Sequence, residues 1–251
     1  MPRHHVTFNA SSPSVIVPLT GKDDTELDHQ IEALAGLSID IVEWRLDLHK
    51  SVVRSLPDPR AAVAALERLR LRLDTVTDGV PLLVTARTTA EGGEAECAGA
   101  DYARLVGALT ESGFADLVDV EYRHAAAAEA MRLARASGTT VVASNHDFDA
   151  TPGVDEIVQR LADMEAMGAD VAKLAAMPRS REDVAALLQA TARRFAGAHR
   201  PIITISMGAL GVPSRLVGGA FGSAATFAAV GPSSAPGQVP LDDVRAVLDV
   251  L

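Results

Sequence analysis

The chain has 251 residues, 48 % of them hydrophobic, enough to bury a large core. Its net charge of −10 opposes nucleic acid and anionic membranes, so neither is expected as a partner. The single cysteine, Cys97, excludes an intrachain disulfide, reads as an incidental thiol and fits a reducing compartment.

The opening, MPRHHVTFNASSP, lacks the apolar core of a secretory signal, and no later run reaches membrane-spanning length. Residues 1–13 therefore read as a short polar lead-in to a cytoplasmic protein. From there, short apolar runs alternate with longer helical patterns. SVIVPL (14–19) precedes a helix over 24–36 that starts with acidic residues. IDIVEW (39–44) precedes a helix over 58–74, PLLVTA (81–86) one over 98–112, and DLVDVE (116–121) one over 124–137. TTVVAS (139–144) precedes a helix over 154–167. DVAKLA (170–175) precedes a helix over 180–196, which opens on SRED, the spacing of a capping box. PIITIS (201–206) and TFAAVG (226–231) follow, with a last helix over 241–250. Gly36, Gly113, Gly138 and Gly168 stand where helices end.

Continuous apolar runs of this length suit strands covered on both faces, as in a parallel sheet. Eight strand–helix units in this length predict an α/β protein of the (β/α)8 TIM-barrel class, with residues 14–251 as a single catalytic domain. The rival, a doubly wound open sheet, needs a Gly-rich phosphate turn after its first strand. The turn here is PLTGKDD, acidic and without GxGxxG.

In such a barrel the carboxyl ends of the strands carry the chemistry. Charged and polar residues gather at those ends: Glu43, Arg45 and Asp47; Arg87 and Glu91; Asp119 and Glu121; Ser144, His146 and Asp147; Lys173; Ser206, Met207 and Arg215; Ser233, Ser234 and Gln238. Lys173 lies inside an apolar run. A lysine there either snorkels or pairs with a carboxylate, or it is a desolvated amine, neutral near pH 7 and able to attack a carbonyl. His146 is a structural histidine or a proton carrier oriented by Glu121. The other histidines, His4, His5, His29, His49, His124 and His199, read as surface residues. Glu43, Arg45 and Arg87 form an ion-pair network or a grip on substrate hydroxyls, with Asp47 and Asp119 supporting the arginines. Arg215, Gln238 and the Ser233–Ser234 loop suit an anion. There is no HExxH, cysteine pair, GxSxG elbow or P-loop, so no metal or cofactor is expected.

EWRLD, RTTAEGG, DVEY, SNHDFDATP, VAKLAAMP, SMGALGVPSRLVGGAFGS and SSAPGQ, in this order, resemble type I 3-dehydroquinate dehydratase over roughly Val15 to Val250. The resemblance implies a cofactor-free barrel, often a homodimer, acting on the small molecule 3-dehydroquinate. It implies that Lys173 forms an imine with the C3 ketone and that His146 carries protons with Glu121 in support. By the same resemblance, Glu43, Arg45 and Arg87 hold ring hydroxyls, and Arg215, Ser234 and Gln238 clamp the carboxylate. Met207 and Phe221 line the pocket, and Glu91 sits on a lid loop. The resemblance departs at the first strand, where some members of that family carry serine in place of Pro18. The alternatives are a class I aldolase, which would want a phosphate site, and a non-catalytic binder, which has no reason to keep both Lys173 and His146.

Overall fold

Short parallel strands alternate with helices from Ser14 to Leu248 in the structure, a computed structural model that describes His4, residues 6–231 and residues 237–251. In chain order these are β1 (Ser14–Leu19), α1 (Asp24–Glu32), β2 (Ile41–Arg45), α2 (Lys50–Val53), α3 (Pro59–Val76) and β3 (Leu82–Thr85). Next come α4 (Ala100–Glu111), β4 (Leu117–Glu121), α5 (Ala127–Ala136), β5 (Thr140–Asp147), α6 (Val154–Ala166) and β6 (Val171–Ala176). The series ends with α7 (Arg181–Phe195), β7 (Ile202–Ser206), α8 (Val212–Val217), β8 (Ala225–Ala229), the two-residue β9 (Val239–Pro240) and α9 (Leu241–Leu248). This succession of β/α units is that of a (β/α)8 barrel, the α/β class expected from the sequence.

Two compact units divide the chain. The first holds the N-terminal residues up to Val6 and residues 18–142. Its strands run parallel, β2 on β3 with Val42 opposite Leu82 and Arg45 opposite Thr85, and β3 on β4 with Leu83 opposite Leu117. Every side chain of β3 and β4 is buried, because helices cover this sheet on the side away from its own core. On α3, Ala62, Ala65, Leu66, Leu69 and Leu73 recur at helical spacing and supply that cover. Each such leucine withdrawn from water contributes about 1.5–3 kcal/mol.

The second unit holds residues 7–17 and 143–251. Here β1 runs parallel to β8, with Ser14 opposite Ala225 and Ile16 opposite Phe227, and β6 runs parallel to β7 from Ala172–Ile202 to Ala176–Ser206. The Ala224 amide donates to the Ile202 carbonyl at 2.8 Å, joining β7 to the start of β8. Because all the pairs are parallel, the carboxyl ends of the strands in each unit point the same way.

Two boundaries differ from the sequence expectation in ways that matter. The fifth strand extends to Asp147 and carries His146 within it. A short helix, α8, follows β7, where the sequence pattern predicts none; Pro213 stands in its first turn, where its missing N–H costs nothing. Two histidines taken as surface groups are also placed differently. His49 is buried, with Nε2 3.2 Å from an Asp24 oxygen and Nδ1 3.0 Å from the Ser51 hydroxyl. His124 is half-buried, its ring stacked on Tyr102 at 4.0 Å. Cys97 is buried as well, and burial pushes its thiol up to about 11. Among the described residues, no helix is long and apolar enough to cross a membrane.

The capping box forms as read: the Ser180 hydroxyl accepts from the Asp183 amide at 3.3 Å, and the Asp183 carboxylate accepts from the Ser180 amide at 3.0 Å. Ser180→Ala leaves the Asp183 amide without its acceptor. It should lower stability by about 0.5–2 kcal/mol in urea unfolding, with an unchanged m-value.

Candidate active site

In the first unit, two carboxylates of β4 and one from the turn after β3 converge on one guanidinium. Arg87, just past β3, is buried, with Nη2 2.8 Å from Asp119 and Nη1 3.1 Å from Glu121 and 3.4 Å from Glu91. Burial alone would lower its pKa, but the charges of Asp119, Glu121 and Glu91 outweigh that and hold it above the ordinary arginine range. Glu121 accepts two further hydrogen bonds, from the Thr88 amide at 2.7 Å and the Thr88 hydroxyl at 2.6 Å. Its own amide donates to the Tyr102 hydroxyl at 2.9 Å, inside the sheet's outer layer.

Along β2, Glu43 and Arg45 share a face because they are two residues apart. Glu43 is buried and accepts from the Thr85 hydroxyl on β3 at 2.8 Å. Arg45 donates from Nε and Nη2 to the two oxygens of Asp47, each at 2.8 Å, a bidentate pair. Burial lowers the Arg45 pKa, and Asp47 more than restores it. Asp47 and Asp119 thus support the arginines as read from the sequence. Asp47 also accepts from the Glu94 amide at 3.3 Å, tying down the turn over residues 88–95. Gly93 makes that turn possible: a Cβ there would lie 2.1 Å from the Arg87 carbonyl oxygen. Glu91, assigned to a lid loop by resemblance, is buried in this turn against Arg87.

In the second unit, Lys173 lies on β6 with 4 % of its surface exposed. Its Nζ stands over the face of Phe227, 4.6 Å from the ring centroid. Phe227 belongs to β8 and was missed in the sequence. Phe221, assigned to the pocket by resemblance, is placed elsewhere. It precedes β8 and lines a cavity of about 460 Å³ with Pro13, Phe195 and Leu248, on the side where the strand begins.

His146 is half-buried near the end of β5, its ring 6.3 Å from that of Phe148 and inclined to it by 20°. The exits of β5, β6 and β7 are laced together. The Met177 amide donates to the Asp147 carbonyl and the Met207 amide to the Ala176 carbonyl, both at 2.8 Å. Met207 is therefore held at the carboxyl end of β7.

Arg215, on α8, is 5 % exposed, its Nε has no hydrogen-bond partner, and no carboxylate pairs with it among the described residues. Burial lowers its pKa to about 10. The Thr226 hydroxyl, on β8, donates to its carbonyl at 2.7 Å and fixes the backbone behind it. Gly237 has φ +77° and packs against the loop leaving β7 so closely that a Cβ would lie 2.2 Å from the Gly208 carbonyl oxygen. Gln238 is thereby pinned next to the loop leaving β7. Ser233 and Ser234 lie outside the described residues. No group of three or more His, Cys, Asp or Glu side chains among the described residues is placed to hold a metal.

Comparisons with known proteins agree with this geometry. The family profile described as type I 3-dehydroquinase matches residues 15–251. The chain is similar to the 3-dehydroquinate dehydratase of Listeria monocytogenes serotype 4a (strain HCC23), with 43 % identity over 98 % of this chain and 96 % of the relative. Among solved structures it is similar to the type I enzyme of Clostridium difficile with covalently modified comenic acid, at 36 % identity and a TM-score of 0.88 over 98 % of this chain and 94 % of that one. The 3-dehydroquinate dehydratase of Geobacillus kaustophilus HTA426 has 38 % identity and a TM-score of 0.86 over 95 % and 91 % of the two chains. A profile match across nearly the whole chain, with relatives at this identity, makes the chain a member of the type I 3-dehydroquinase family, the hydro-lyases that dehydrate 3-dehydroquinate.

Proposed function

We propose that the chain converts 3-dehydroquinate to 3-dehydroshikimate by syn elimination of water through a lysine Schiff base, in the shikimate pathway to aromatic amino acids. The observation that carries this reading is Lys173: a buried amine on an apolar strand, with its nitrogen over an aromatic face. Burial disfavours the ammonium and frees the lone pair for attack. Once the imine is protonated, the face of Phe227 stabilises its positive charge.

The sequence of steps balances without a cofactor. The Lys173 amine adds to the C3 ketone and water leaves, giving the iminium. His146 takes a proton from C2, and the released electron pair moves into the iminium to form an enamine. The enamine expels the C1 hydroxyl, which His146 protonates, so the leaving group is water. Hydrolysis of the imine then releases the product and restores Lys173. Glu121 supports the histidine from the acidic frame around Arg87. Glu43, Arg45 and Arg87 hold the ring hydroxyls, with Glu91 contributing from the covering turn. Met207 lines the pocket.

The substrate carboxylate belongs at Arg215, with Gln238 and Ser234. A buried guanidinium with no carboxylate beside it is costly in the empty protein, and an anionic ligand removes that cost. A planar carboxylate suits the guanidinium fork, whereas an aldolase would need a phosphate site. The lone buried cysteine supports a cytoplasmic location, and we place residues 14–251 in one catalytic domain that pairs as a homodimer.

Borohydride added during turnover should inactivate the enzyme and leave the reduced ligand on Lys173 in a peptide mass map; label on another lysine, or none, contradicts the imine. His146→Ala should lower kcat by about 10²–10⁴ in an ultraviolet assay of the conjugated product. Arg215→Gln should cost about 2–5 kcal/mol of carboxylate binding, read as a raised KM. The pH dependence has a definite sign. Burial lowers Arg215 from the ordinary arginine range to about 10 in the folded chain, so KM should climb as pH rises through about 10. Over the same window the unfolded chain binds the extra proton, so this group makes folding more favourable as pH rises.

A further inference from the structure

We propose that Arg160 is a positioning residue for His146: from α6 it clamps the two residues that flank the histidine and sets where the imidazole stands. The inference rests on the proton-carrying role proposed for His146.

Arg160 occurs on the inner face of its helix. The buried residues of α6 are Ile157, Arg160, Leu161 and Met164, the spacing of a core-facing stripe. An arginine in that stripe needs partners, and it has them on β5. Its Nη1 donates to the Asn145 side-chain oxygen at 3.0 Å and to the Asp147 carboxylate at 3.1 Å. Both hydrogens of that one nitrogen are therefore spent on residues 145 and 147. The rest of the guanidinium is braced within the helix, where Nε donates to Glu156 at 3.0 Å and Nη2 contacts the same oxygen.

The geometry of a strand turns this into control of residue 146. Side chains alternate across a strand, so Asn145 and Asp147 face α6 while His146 faces the other way. Fixing residues on both sides from behind fixes the peptide planes that aim the imidazole. The clamp is itself rigid. Arg160 and Asn145 are buried, and Asp147 is also held by the Ala150 amide at 3.1 Å, while its carbonyl accepts from Met177. It further accounts for a strand that continues through SNHD, a polar stretch with little strand propensity of its own. A general acid–base group works only within hydrogen-bond reach of its proton, so a small loss of aim is expensive in rate.

The test is a double-mutant cycle between Arg160→Gln and His146→Ala, with kcat and KM measured at each corner. If Arg160 acts through His146, Arg160→Gln lowers kcat about 10-fold or more when His146 is present and less than about twofold when it is absent, with KM within about threefold throughout. Arg160→Lys, which keeps a cationic donor, restores part of the rate. Borohydride trapping of the product imine at equilibrium stays complete, because Lys173 is intact. An equal loss in both backgrounds, or no loss in kcat despite a lowered melting temperature, overturns the proposal. Should Arg160→Gln fail to fold, Asn145→Ser removes one arm of the clamp and is read in the same cycle. Full turnover in His146→Ala alone would sink the role of His146 and this proposal with it, an outcome distinct from the others.

Discussion

A lysine nitrogen over a phenylalanine ring, inside a strand that is otherwise apolar, is the contact on which the proposed chemistry depends. The strand VAKLAA is buried at every position, so Lys173 cannot lie at its centre by default. Burial of an amine disfavours its ammonium form, and an aromatic face favours a cation placed over it. The proposed passage from amine to iminium and back would draw on both effects.

The two buried arginines at the strand ends show how the chain distinguishes scaffold from receptor. Arg87 has Asp119, Glu121 and Glu91 around it, and its charge is over-compensated. Arg215 has no carboxylate among the described residues, and burial depresses its pKa. Identical side chains at similar depth therefore play opposite electrostatic parts. The first is a fixed element of an acidic frame, which an anion would enter only by displacing an existing partner. Under the proposed function, the second is a positive charge whose partner arrives with the ligand. An overall charge of −10 is no obstacle to an anionic substrate when one guanidinium is left uncompensated in this way.

Much of this was legible in the sequence because each layer of the pattern speaks for itself. Strands buried on both faces read as continuous apolar runs, and their limits fall within about two residues of those observed, β5 excepted. The β5 strand ran on because Arg160 satisfies Asn145 and Asp147, a tertiary effect that no local propensity encodes. Arg160 itself was overlooked because an arginine on an amphipathic helix reads as part of the solvent face; only the register with Ile157, Leu161 and Met164 marks it as inward. His49 escaped notice for a similar reason, since its partner Asp24 is distant in sequence. The resemblance names Phe221, in FGS, as the pocket aromatic, whereas the ring beneath Lys173 is that of Phe227 in the strand that follows. Motif spacing alone does not say which side of a strand's beginning a residue occupies.

The state of Cys97 has a practical side. With its thiol raised to about 11, only a fraction on the order of 10⁻⁴ is thiolate at pH 7, and the sulfur is also shielded from solvent. The wild-type chain is thus nearly silent toward maleimides and iodoacetamides. A cysteine introduced on the outer face of a helix would take up a fluorophore or spin label alone, with the native thiol left in place.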